Sequence, residues 1–85
     1  TNDEVLALKN TLKKSEERVE KLLKMEETIS KRLADPEIYS DNKKDEIILL
    51  NTKYAEVSKA ITRAEDLWEK AQKTLDEALI TKTSR

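Results

Sequence analysis

A single proline, in a chain that has no glycine, separates two stretches whose apolar residues recur with heptad spacing. Very few folds satisfy that combination. From Val5, alternating steps of three and four residues reach Leu8, Leu12, Ser15, Val19, Leu22, Glu26, Ile29 and Leu33, and seven of these nine are aliphatic. The same stepping from Ile47 reaches Leu50, Tyr54, Val57, Ile61, Ala64, Trp68, Ala71, Leu75 and Ala78, all ten apolar or aromatic. A period near 3.5 is the a/d seam of a coiled coil, whereas a half-buried strand would alternate every second residue. Charged residues make up 41% of the chain, a load found both in disordered segments and in long ion-paired helices. A register held through both stretches decides for helices.

Between the two tracks lies Ala34-Asp35-Pro36-Glu37-Ile38-Tyr39-Ser40-Asp41-Asn42. Pro36 cannot continue a helix and disfavours helical geometry at Asp35. Asp35 followed by proline also reads as an N-cap with proline at the first helical position, which predicts a short helical turn from Pro36 to Tyr39. Ser40 and Asp41 offer caps for the next helix, with Asp45 near its positive end. Ile38 and Tyr39, the sizeable apolar residues of the break, are expected to fold back over the end of the seam.

So short a connection forces the helices to run antiparallel. The expected fold is all-α: an antiparallel two-helix coiled-coil hairpin with a short helical turn at its tip. Residues 1–85 form one domain, with helix one over about residues 3–34, the tip over 35–42 and helix two over about 43–80. The antiparallel register sets Leu33 near Ile47, Leu22 near Val57, Val19 near Ile61, and Ser15 by Ala64 and Trp68. Glu26 falls near Tyr54, whose hydroxyl is in position to donate to it. On the outer faces, Glu17–Lys21, Glu20–Lys24, Glu27–Lys31, Asp66–Lys70 and Glu69–Lys73 put an acid four residues ahead of a base. Each such pair supports a helix by about 0.2–0.5 kcal/mol. The end of helix two near Ile80 is expected to fray or to pack on a further neighbour.

Histidine and cysteine are absent, which removes the usual general base, the thiolate nucleophile and the commonest metal ligands. Without glycine no phosphate-cradling loop of the nucleotide-binding kinds can form. Carboxylates cluster at Glu16-Glu17 and Glu26-Glu27, with lysines one turn away, and read as solvated faces. No enzyme activity, cofactor, metal or small-molecule substrate is therefore expected of this chain. No segment has the roughly 20 apolar residues of a membrane span. The start Thr1-Asn2-Asp3-Glu4, with no initiator Met or leader-like segment, reads as a fragment of a larger protein.

With 17 Lys and Arg against 18 Asp and Glu, net charge −1, bulk charge does not attract phosphate, and nucleic-acid contact requires a local patch. The candidate is the tip, where Lys31 and Arg32 end helix one and Lys43 and Lys44 open helix two. Asp35, Glu37, Asp41 and Asp45 stand close by, so the tip reads either as a mixed-sign surface or as a set of phosphate contacts. Trp68, on the seam, reads as core. Tyr39 either covers the hairpin end or stacks on a base.

The segment Arg32-Leu33-Ala34-Asp35-Pro36-Glu37-Ile38-Tyr39-Ser40-Asp41 resembles the turn in the C-terminal coiled-coil domain of ABC-F ATPases of the Uup type. Leu67-Trp68-Glu69 stands where that family carries a Trp-Glu in its second helix, and the resemblance runs from about Glu16 to Leu75. It implies a cytoplasmic, ribosome-associated parent chain with ATP-binding domains upstream, and a nucleic-acid-binding tail for DNA or ribosomal RNA. On that basis Lys31, Arg32, Lys43 and Lys44 would be backbone contacts. Tyr54-Ala55-Glu56-Val57, after the Asp-Pro turn, bears a fainter resemblance to the first domain of bacterial peptide-chain release factors. The tRNA arm of valyl-tRNA synthetase is similar in architecture alone. An alternative with no nucleic acid is a structural or protein-interaction hairpin, with Leu49, Leu67 and Leu79 as exposed apolar contacts and a dimer in solution.

Overall fold

A computed structural model describes residues 2–40 and 42–83. Two helices, α1 (Asn2–Ala34) and α2 (Lys44–Thr83), are joined by a 3-10 turn over Pro36–Tyr39. They lie side by side as the expected hairpin, 68 Å long and 15 × 14 Å in section. Its radius of gyration is 19.1 Å, against about 12 Å for a compact domain of this length. Charges match the helix dipoles at both ends of α1, with Asp3 and Glu4 in the first turn and Lys31 and Arg32 in the last. Asp45 and Glu46 occupy the first turn of α2. No described helix is long and apolar enough to cross a membrane.

The seam follows the heptads closely. All nine positions predicted for α1 are shielded from solvent, and elsewhere in that helix only Arg32 is comparably covered. The core is a cluster of Leu22, Ile29, Val57, Ile61 and Ala64, flanked by Val19, Leu33, Leu50 and Ala60. Ser15 fits the seam because its hydroxyl is satisfied locally, donating to the Thr11 carbonyl at 3.0 Å.

Tyr54 is the exception on α2. It is 39% exposed, and Glu26 accepts a hydrogen bond from Ser58 Oγ at 3.4 Å where the heptads pointed to the Tyr54 hydroxyl. Ser58 sits one turn further along α2, on the row beside the seam, so its short side chain meets a carboxylate leaning out of the interface. Among the described residues, Glu27–Lys31 is the one predicted i,i+4 pair that closes, at 3.0 Å. Both its side chains are exposed, where such a pair adds little. Helical structure continues past Ile80 to Thr83, three residues beyond the predicted end of helix two.

Candidate nucleic-acid interface

The tip is built by a chain of short-range hydrogen bonds. Asp35 leaves the helical region (φ −73, ψ 121), and its side chain accepts from the Glu37 N–H, with Pro36 at the start of the 3-10 turn. The Asp35 Oδ1 bond is 3.0 Å long. Backbone bonds then step through the connection: Asp35 N to Arg32 O, Ile38 N to Asp35 O, Ser40 N to Glu37 O, and Lys43 N to Ser40 O. Ser40 thus closes the 3-10 turn and receives the start of α2 through its carbonyl. The predicted cap at Asp41 lies outside the described residues.

Ile38 is 0% exposed and plugs the end of the seam, as predicted for it. Tyr39 behaves differently from the cover predicted for it. The residue is 61% exposed, and its hydroxyl donates to the Leu33 carbonyl at 2.6 Å. That carbonyl belongs to the last turn of α1, whose acceptors have no partner within the helix. Tyr39 therefore caps α1 and leaves the plugging to Ile38. Replacing it with phenylalanine is expected to cost about 1 kcal/mol, read as a lower urea midpoint, with a shifted Ala34 amide resonance because that N–H shares a peptide group with the Leu33 carbonyl.

Of the four cations predicted for the tip, Arg32 belongs to the hairpin's own framework. Its Nε donates to Glu46 Oε1 at 2.6 Å across the two helices, and its Nη1 lies 3.6 Å from Asp35 Oδ2. One guanidinium thus ties α1, the turn and α2 together. The hydrogen bond from Arg32, opposed by partial desolvation and aided by the charges of Arg32 and Lys43, holds the Glu46 carboxyl below its ordinary value of 4.5. The same bond raises Arg32. A depressed carboxylate contributes stability above its ordinary pKa and loses it as pH falls through the lowered value. The stability gap between wild type and Glu46→Gln should accordingly be widest near neutral pH and shrink below 4.5, measured as urea midpoints across an acid series.

Lys31 is exposed and paired with Glu27. Lys44 is exposed and Lys43 half-buried at the start of α2. The structure brings the four cations to one end, interleaved with Glu27, Asp35, Glu37, Asp45 and Glu46, so the tip is mixed in sign. Trp68 is half-buried on the seam, and its Nε1 donates to Glu16 Oε1 at 3.3 Å. Heptad position alone does not reveal that tether, because Glu16 lies outside the a/d set. Among the described residues no group of three or more carboxylates forms a potential metal site. Comparison with known protein families, with characterised proteins and with solved structures returns no match.

Proposed function

We propose that this hairpin is a non-catalytic nucleic-acid-binding domain that meets the phosphate backbone of DNA or ribosomal RNA. In this reading it is the cytoplasmic, ribosome-associated tail of an ABC-F-type ATPase, with the ATP-binding domains elsewhere in the parent chain. The observation that carries the reading is the turn from Arg32 to Ser40, where the family resemblance falls on a segment built to be stiff. Asp35 caps it, Ile38 anchors it, and the Arg32–Glu46 bond ties it to both helices. The resemblance makes Lys31, Arg32, Lys43 and Lys44 the contacts, and of these Lys31 and Lys44 are turned outward.

Fluorescence anisotropy with a labelled DNA duplex and a ribosomal RNA fragment tests this. Binding at low salt that weakens steeply as salt rises supports it, since phosphate contacts act by counterion release. Failure to bind either probe at low salt rejects it.

A second reading, a hairpin that docks another protein, draws on Ile48 and Leu49 beside the tip, 64% and 53% exposed. It predicts a dimer or a protein complex that is indifferent to salt and nuclease.

A further inference from the structure

In a 3.5-residue repeat, residues seven apart share a row, so each flank of the hairpin can be assigned from contacts that cross it. The Arg32–Glu46 bond closes on one flank. The Glu26–Ser58 and Glu16–Trp68 bonds close on the other. On the first flank α1 places Lys14, Arg18 and Lys21, and α2 places Lys53, Arg63 and Lys70, with Glu56 as the one acid on the rows between Thr11 and Thr28 and between Lys53 and Thr74. The second flank carries Glu16, Glu20 and Glu27 on α1 and Glu65, Glu69 and Asp76 on α2, relieved by Lys9 and Lys13. Over these middle rows a chain of net charge −1 is therefore polarised across its width.

This segregation does not serve the hairpin itself. In a coiled coil the flanking charges that face each other across the seam stabilise pairing when their signs are opposite. Here the antiparallel register sets Arg18 level with Arg63 on the first flank, and Glu16 level with Glu65 on the second. Like charges across the seam weaken the pairing, so their placement points outward to a partner. All six basic residues are exposed, and among the described residues none closes an ion pair. At the tip, by contrast, Lys31 and Arg32 are already engaged.

At the Lys21–Lys53 end of these rows lies a shallow depression of about 380 Å³, lined by Lys21, Lys24, Met25, Thr28, Ile29 and Lys53. Exposed apolar residues on this flank, Met25, Leu49 and Leu67, are too scattered to make the continuous patch that an apolar partner requires. From Lys14 to Thr28 the row extends about 20 Å along the helix. A long array of unpaired cations with little apolar surface matches a regularly charged strand.

We propose that the Lys14–Arg18–Lys21 row of α1 and the Lys53–Arg63–Lys70 row of α2 form a surface along which a phosphodiester backbone lies, parallel to the stalk. The proposal rests on the nucleic-acid reading and moves the principal contact from the tip to the flank. Two variants with the same change in net charge test it: Arg18→Glu/Lys21→Glu/Arg63→Glu on the flank, and Lys31→Glu/Lys43→Glu/Lys44→Glu at the tip. Each is checked for helicity by circular dichroism, then titrated against a fluorescein-labelled random-sequence DNA duplex over a salt series. The flank variant should lose more than about tenfold in affinity, and its slope of log K against log salt should be shallower by about 3. The tip variant should stay within about threefold.

Loss confined to the tip variant, or equal loss in both, overturns the flank assignment and leaves nucleic-acid binding standing. If the wild type binds neither the duplex nor a ribosomal RNA fragment at low salt, both readings fall. If sedimentation then shows salt-sensitive self-association that the flank variant abolishes, the acidic flank of a second copy is the true occupant of the basic one.

Discussion

Replacing Ile38 with alanine is expected to destabilise the hairpin by about 3 kcal/mol, the largest loss from any single truncation. Among the large side chains of the described residues, Ile38 alone is fully buried. It gets there because Asp35 and Pro36 set the 3-10 turn that swings it back under the helix ends. The surrounding groups are held by their own bonds, Arg32 to Glu46 and Tyr39 to Leu33. The space left by truncation therefore cannot collapse easily, and cost rises with the cavity that remains. Ile48→Ala supplies the control, since that side chain is mostly exposed and surface changes of this kind stay within about 0.5 kcal/mol. Urea titrations followed by helical circular dichroism would compare the two. Equal, small losses would show that the tip does not depend on its plug.

Glu26→Leu is expected to act in the opposite direction, raising stability by about 1.5 kcal/mol and the melting temperature by about 8 °C. Glu26 interrupts the seam between Leu22 and Ile29, both buried. Its one partner among the described residues is Ser58, at 3.4 Å, longer than the roughly 2.5–3.0 Å of a good hydroxyl–carboxylate bond. Leucine in its place would join the core cluster and bury apolar area where a half-covered carboxylate now leans outward. A polar seam residue also fixes register at a cost in stability, so the gain should come with weaker discrimination against a heptad slip. Calorimetry gives the first effect, and broadened amide resonances around Val57 and Ile61 would report the second. A lower melting temperature would mean that the Glu26–Ser58 bond outweighs apolar burial at this site.

Periodicity made most of the fold legible, because burying an apolar stripe is the one demand that a two-helix hairpin must meet along its whole length. Hence every predicted seam residue of α1 is shielded, and Pro36 marks the turn. What escaped depends on side-chain reach. Tyr54 has the right spacing and the wrong exposure, and Glu26 found Ser58 because a carboxylate reaches sideways to the next row. The Tyr39 hydroxyl bonding Leu33 depends on how tightly the 3-10 turn folds, and composition does not report that. The tip cations are legible in the chain because Lys31 and Arg32, and Lys43 and Lys44, are neighbours in sequence. Arg18 and Arg63 are far apart in the chain and share a flank only once the antiparallel register is known.

The thin, linear build of the seam also sets how the molecule comes apart. Each layer of the hairpin touches little beyond the layers next to it, so separation proceeds like a zipper, one heptad at a time. Ile38, the Asp35 cap and the Arg32–Glu46 bond all lie at the closed end, whereas Val5 and Ala78, at the opposite end of the seam, are only half-buried. Opening should start away from the turn and run toward it, giving a gradient of amide exchange that is slowest beside Leu33 and Leu50 and fastest at the opposite end. A strand lying along the basic rows would hold several layers closed at once. Its binding would then be visible as slowed exchange far from any residue it touches.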